Sequence, residues 1–311
     1  MRNAFSDCLV RAAKANPQLV LLTGDHGYAL FDEFRKECGS QYVNAGVAEQ
    51  NMVGVAAGLA KLGFFPVVYG LSSFVPIRVL EQIKMDLCYE GLPALLIGDG
   101  AGVVYSHLGA SHQSTEDIGV LRPIPNISIY SPADATELQW CFSAAIASRS
   151  TCYLRMGKAD LGAVHQAAFP NPRAAPVRIL GDGREETTFI ATGSMVKTAT
   201  VLAEFWGGVS VWSIPRLKPL SSAETDQCFE RSRKIVTLEE HSIQGGLRDI
   251  LAERLAERGL TCATTLFCAG IDDRFSDLCG SYDYLMDRHN LSTQKLRARL
   301  REFLGDESQP R

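Results

Sequence analysis

Short apolar runs, each followed by a segment of helical period, set the strongest limit on what this chain can fold into. Leu19-Val20-Leu21-Leu22-Thr23, Phe65-Pro66-Val67-Val68-Tyr69, Ala94-Leu95-Leu96-Ile97 and Ile127-Ser128-Ile129-Tyr130 read as strands. Helical segments lie near Phe5 to Ala15, up to Leu62, from about Val75 to Tyr89, and from Ala133 to Ser148. Strands apolar on both faces need cover on both faces, and intervening helices supply it, so a parallel sheet is expected. Between Gly162 and Arg178 the texture changes to Ala and Pro (Pro170, Pro172, Pro176) with no period, as in a linker. A second series follows, with strands at Thr188 to Thr192, Val209 to Trp212 and Ile235 to Leu238 and helices around Val196 to Phe205, Gly246 to Ala256 and Ser292 to Phe303. The expected fold is α/β in two domains, residues 1–162 and 179–311 joined by a linker at 163–178, each a mostly parallel sheet flanked by helices.

A net charge of −4 offers no basic field, which argues against nucleic acid as a partner. No apolar run is long enough to span a membrane and the first residues lack a signal-peptide core, so a cytoplasmic location is expected. The nine cysteines are scattered without a C-x-x-C pair, mostly in apolar periodic segments, and read as reduced core residues.

Chemistry concentrates in three places. Asn44-Ala45-Gly46-Val47-Ala48-Glu49-Gln50-Asn51-Met52 puts one carboxyl, Glu49, at a strand-to-helix junction before an apolar segment running from Val53 to Leu62. Burial there would raise its pKa and keep a proton available near neutral pH, although a carboxylate at a helix N-terminus is also favoured by the macrodipole alone. Phe74 follows the strand ending at Tyr69, at the carboxyl end of a parallel strand where such folds bind ligands. After the strand ending at Ile97 comes a loop rich in Gly and Ser that carries His107 and His112, two of only six histidines.

Gly46-Val47-Ala48-Glu49-Gln50, Phe74, Gly109-Ala110-Ser111-His112-Gln113 and Pro125-Asn126 leading to Ser131-Pro132-Ala133-Asp134 resemble the pyrimidine-binding domain of thiamine-diphosphate enzymes, transketolase above all. Lys218-Pro219-Leu220, Glu239-Glu240-His241 and Gly245-Gly246 extend the resemblance through the transketolase C-terminal domain. The resemblance implies that Glu49 hydrogen-bonds N1′ of the aminopyrimidine, favouring the imino tautomer that removes the thiazolium C2 proton. It implies that Phe74 packs on the pyrimidine, with Ile77 and Asp25 also near the cofactor, and that His112 binds substrate hydroxyls and assists proton transfer. His107, His26, Lys158 and Arg155 are the further substrate candidates, Lys158 or Arg155 for a sugar phosphate. Ile77 and Leu80 stand where transketolases usually carry further aromatics, and Leu108 where an aspartate usually contacts a substrate hydroxyl, so the donor sugar is expected to differ or be gripped differently.

In this family Mg²⁺ holds the diphosphate through Gly-Asp-Gly and a later asparagine on a separate domain. Gly98-Asp99-Gly100 with Asn126 has a comparable spacing, but the histidine loop lies between them; Gly181-Asp182-Gly183 has no suitable asparagine. Both read as turns, and no metal ligand is assigned to this chain. The expectation is therefore one subunit of a split transketolase, transferring a two-carbon ketol unit between sugars or sugar phosphates. An N-terminal-type partner subunit would hold Mg²⁺ and the diphosphate, with self-association through the pyrimidine domain into an α2β2 assembly. The alternatives are the β subunit of a 2-oxo-acid dehydrogenase, a 1-deoxyxylulose-5-phosphate-synthase-like carboligase, and a non-catalytic regulatory remnant of the fold.

Overall fold

The computed structural model describes residues 1–157, 161–165, 170–261 and 263–305. Lys158 and Cys262 lie outside them. Among the described residues, strands β1 (Leu19–Thr23), β2 (Tyr42–Asn44), β3 (Phe65–Leu71), β4 (Ala94–Asp99), β5 (Ile127–Tyr130) and β6 (Thr151–Met156) pair in parallel. Strands β7 (Val177–Leu180), β8 (Thr187–Ala191), β9 (Val209–Ser213), β10 (Arg216–Lys218), β11 (Lys234–Ser242) and β12 (Thr265–Ile271) follow in the second half. The first sheet has the order β10-β5-β6-β4-β3-β1-β2 and the second β12-β11-β8-β9-β7. Two mostly parallel sheets flanked by helices are the architecture that the apolar runs imply.

The two antiparallel strands are both at edges. β7 pairs antiparallel with β9, and β10, which follows β9 in the chain, leaves its own domain and pairs antiparallel with β5 of the first sheet. Lys218 of β10 also donates to the Arg122 and Ile124 carbonyls of the first domain. The division into halves along the chain is therefore crossed in space by one strand. The expected helix over 75–89 is broken into a 3-10 turn (Ile77–Val79), a short α segment (Leu80–Gln82) and a wide π-helical stretch (Ile83–Tyr89), a deformation frequent beside functional sites.

The register aligns the carboxyl ends of the central strands. Thr23 pairs with Asn44 and with Tyr69, Leu71 with Asp99, and Asp99 with Met156. Every connection that leaves β1, β2, β3 and β4 thus starts on one rim of the sheet. The helix after β2, Glu49–Lys61, lies against β3 and buries Met52, Val53, Ala56, Ala57 and Ala60. Burying its Met and Val contributes about 1.5–3 kcal/mol for each side chain, which fixes the helix and with it the position of Glu49 at its first turn. Cys8, Cys38, Cys88, Cys141, Cys152 and Cys228 are buried thiols, whereas Cys279 is exposed.

A buried polar network joins the domains. Arg155 Nε donates to Asp117 Oδ2 at 2.8 Å and Oδ1 at 3.1 Å, and its Nη2 donates to the Glu240 carbonyl at 2.7 Å and the Ser114 carbonyl at 3.4 Å. Glu240 in turn accepts from Val103 N–H, Ser194 Oγ and Tyr282 OH. Beside it, Glu239 accepts from the Leu247 and Arg248 N–H groups at the start of helix Leu247–Glu257. A Cβ at Gly246 would stand 2.0 Å from the Glu239 carboxylate, so only glycine lets that carboxyl reach the helix end.

Burial pushes the Glu239 carboxyl up to about 7, against the backbone N–H groups that favour its charged form. A carboxyl raised on folding binds more protons folded than unfolded, so its contribution to stability declines as pH rises through the interval from the ordinary carboxylate range to about 7. Glu239→Gln removes that dependence. The variant is expected to gain stability relative to the parent as pH rises from about 5 to 7.5, read as the difference in urea midpoint. A constant difference across that interval would refute the shift.

Candidate active site

Four connections from the aligned rim bring together Glu49, Phe74, His26, His112 and Arg78. Glu49 opens its helix directly after Ala48 and is 2% exposed. Its Oε2 accepts from Arg78 Nη1 at 2.9 Å, and its Oε1 has no hydrogen-bond partner. His26 Nε2, also buried without a partner, lies 3.8 Å from that Oε1. The Arg78 guanidinium sits 4.0 Å from the centroid of the Phe74 ring, the His112 ring meets Phe74 edge-on at 5.4 Å, and His26 is at 6.3 Å. His112 Nδ1 is hydrogen-bonded to Ser111 Oγ at 3.0 Å.

Burial acting alone would push the Glu49 carboxyl up, as expected from sequence. Its own backbone N–H, the Arg78 guanidinium and His26 outweigh burial and hold it below the usual carboxylate range. The expected raised pKa is thus reversed in the protein as it stands, because a cation that sequence reading did not assign to the site is bonded to the carboxylate. The signal was present: Arg78 follows Phe74 by four residues, one helical turn, and its N–H donates to the Phe74 carbonyl.

The other sequence candidates divide. Ile77 is half-buried in the turn just after Phe74. Asp25 is exposed, with φ +62°, and accepts a long 3.4 Å bond from Asn44 Nδ2; its neighbour His26 is the residue that turns toward Glu49. His107 is exposed on a separate turn, Ser106–Leu108, and among the described residues no contact joins it to the cluster. Arg155 is 3% exposed, and its Nε and Nη2 are committed to Asp117, Ser114 and Glu240. A guanidinium so enclosed is a strut between domains, and the expectation that it meets a substrate phosphate is corrected. Lys158 lies outside the described residues.

The loop bearing His112 is braced from the second domain. Ser276 Oγ donates to Gln113 Oε1 at 2.6 Å and is bonded to His289 Nε2 at 2.8 Å, and Gly280 N–H reaches the Ser106 carbonyl. Asp99 of Gly98-Asp99-Gly100 accepts from the Tyr69 and Tyr105 hydroxyls at 2.7 and 3.1 Å. It lies at the carboxyl end of β4, whereas Asn126 precedes β5 at the opposite end of the sheet and donates to the Cys88 carbonyl. That pair cannot share one ion. In Gly181-Asp182-Gly183 the Asp182 and Gly183 N–H groups bind Glu185, forming a turn between β7 and β8.

Residues 1–163 match the family described as Transketolase, pyrimidine binding domain, and residues 176–268 match Transketolase, C-terminal domain. The chain belongs to the transketolase family. One of the two subunits of an apulose-4-phosphate transketolase from Phocaeicola vulgatus is 33% identical over 261 residues, 82% of this chain and 83% of that protein. A 6-deoxy-6-sulfo-D-fructose transketolase subunit, SqwH, from a Clostridium species is 29% identical over 303 residues, covering 95% and 92%. A solved split-gene transketolase, an inactive β4 tetramer, superposes with a TM-score of 0.87 at 27% identity over 99% of each chain. The transketolase of Campylobacter jejuni shares the fold, with a TM-score of 0.78 at 17% identity over 97% of this chain and 46% of its own.

Membership in the transketolase family implies thiamine diphosphate, and the geometry fits its aminopyrimidine. Glu49 Oε1 is a buried acceptor with no partner, next to the Phe74 ring, and the buried Ser73 Oγ and Gln113 Nε2 on the neighbouring loops also lack partners. Unsatisfied buried polar atoms are costly, and several converging in one place mark a polar ligand. Among the described residues no helix is long and apolar enough to cross a membrane.

Proposed function

We propose that this chain is one subunit of a thiamine-diphosphate-dependent, transketolase-type enzyme that moves a two-carbon ketol unit between sugars or sugar phosphates. A partner chain holds Mg²⁺ and the diphosphate, and two copies of each subunit form the assembly. The observation that carries this reading is the Glu49 carboxylate, buried beside Phe74 with one oxygen open. When bound, thiamine diphosphate supplies the nucleophilic carbon that attacks the ketose carbonyl and carries the two-carbon unit. Glu49 holds a proton at the pyrimidine N1′ through Oε1. Phe74 orients the ring by packing against it. His112, with Nδ1 bonded to Ser111, presents Nε2 to a substrate hydroxyl and moves its proton. Lys158 is the proposed contact for a substrate phosphate.

Support for a second chain comes from relatives that are themselves named as subunits, and from the split-gene β4 tetramer, which is inactive. Tyr28 and Val47, on either side of the His26–Glu49 contact, are strongly exposed, as an apolar rim covered by a partner would be.

Mixing this chain with a candidate partner, thiamine diphosphate and Mg²⁺ is expected to give ketol transfer from a ketose phosphate to an aldose acceptor. In that mixture His112→Ala lowers kcat/KM at least ~10-fold with thiamine diphosphate binding retained. Transfer by this chain alone would overturn the two-subunit reading. Release of CO₂ from pyruvate or a branched 2-oxo acid, without ketol transfer, would move the assignment to a carboligase or dehydrogenase. The carboligase is the better placed of these two, since a 1-deoxy-D-xylulose-5-phosphate synthase from Pelotomaculum thermopropionicum is 32% identical over 309 residues, 96% of this chain and 47% of that protein.

A further inference from the structure

We infer that Arg78 is a positioning residue for Glu49: it holds one carboxylate oxygen so that the other stays aimed at the pyrimidine, with the proton they share residing on N1′. The inference rests on the proposed thiamine-dependent function and adds a residue to it.

Three observations carry it. The first is the division of labour on one carboxylate, with Oε2 bonded to Arg78 at 2.9 Å and Oε1 buried and unpartnered. A carboxylate anchored at one oxygen has lost the rotation that would let it turn away from a ligand. Second, the guanidinium is itself held in place. It stacks 4.0 Å over Phe74, the Arg78 N–H donates to the Phe74 carbonyl, and the Arg78 carbonyl accepts from Gln50 Nε2 at 3.4 Å. Third, the Arg78 side chain is 44% exposed, so burial does not force the contact; pairing with the carboxylate and the ring face selects it.

The groups facing Glu49 are Arg78 from the turn after Phe74 and His26 from the connection after β1. Only Arg78 is a permanent cation. A neutral Glu49 would keep its own proton and leave N1′ without one. A fixed positive charge on Oε2 favours the carboxylate, so the proton leaves Oε1 and arrives at N1′, and no other bond changes. A protonated N1′ makes the neighbouring amino group more acidic, which is the property a base for C2 requires. Arg78 touches neither C2 nor substrate in this scheme; it acts through Glu49.

The test uses the assembled two-chain enzyme with thiamine diphosphate and Mg²⁺, comparing the parent with Arg78→Gln and Arg78→Lys. Two quantities are read without turnover: the Kd for thiamine diphosphate by calorimetry, and the rate at which the bound cofactor exchanges its C2 proton with D₂O across pH. Arg78→Gln is expected to slow exchange about 10-fold near neutral pH and to move its acid limb up by about one pH unit, with Kd changed less than about 3-fold. Arg78→Lys, which keeps the charge, restores most of the rate. An unchanged exchange rate and acid limb in Arg78→Gln would overturn the inference. So would equal loss of assembly or cofactor binding in both variants, which would mean a purely structural role. If the parent assembly itself binds no thiamine diphosphate, the functional reading fails first and this one with it.

Discussion

Glu49→Gln in the assembled enzyme is expected to lower kcat by about 10²–10⁴-fold while assembly and thiamine diphosphate binding persist. The amide has nearly the shape of the carboxyl, so the helix that begins at Glu49, with Met52, Val53 and Ala56 packed beneath it, has no reason to move. It can still hydrogen-bond the pyrimidine, which is why binding changes little. What it cannot do is exchange a proton with N1′, and it no longer anchors Arg78 with a full charge. The loss therefore falls on the chemical step. C2 proton exchange in the bound cofactor should drop in parallel with kcat, and an unaltered rate would refute the proton role of Glu49. A comparable loss of cofactor binding instead would mean that the carboxyl only holds the ring.

Arg155→Met is expected to destabilise the protein by about 3–5 kcal/mol, because it leaves the Asp117 carboxylate buried without its cation. For a chain of this size that corresponds to a fall in Tm on the order of 10 °C. The same substitution removes the donors to the Glu240 and Ser114 carbonyls, so the contact between domains loosens next to the loop that carries His112. Arg155→Met combined with Asp117→Asn should recover a substantial part of the loss, since the uncompensated charge is then gone. Differential scanning of the single and double variants decides the matter. A single variant as stable as the parent would return Arg155 to the candidate substrate contacts.

Much of the architecture was legible because its determinants are local. The runs Leu19 to Thr23, Phe65 to Tyr69, Ala94 to Ile97 and Ile127 to Tyr130 become strands of one sheet, since each is apolar on both faces and must be enclosed. Strands with weaker patterns were less legible. β10 is three residues long and pairs across domains, and β2 has a largely exposed pattern. The expected helix over 75–89 has the right apolar period, but periodicity does not register the π-helical widening at Ile83–Tyr89.

At the site, residue types and order were enough to place Glu49, Phe74 and His112 in one family's pattern. What they could not rank was the charged residues. Arg78 and Arg155 are the same side chain in the sequence and opposites in the fold. One lies at the rim of the sheet with its guanidinium on Glu49 and Phe74. The other lies within β6 and is enclosed by Asp117 and the second domain.

The sequence by itself determined the two α/β halves, the family, and the identity of the carboxyl that faces the cofactor, because strand burial and motif order are written in consecutive residues. Tertiary structure decided which cation meets that carboxyl, that its pKa is lowered where burial alone would raise it, and that the His112 loop is braced through Ser276 and Gln113. Those outcomes depend on charges and hydrogen bonds between residues far apart in the chain, whose energies depend on distance and enclosure in space.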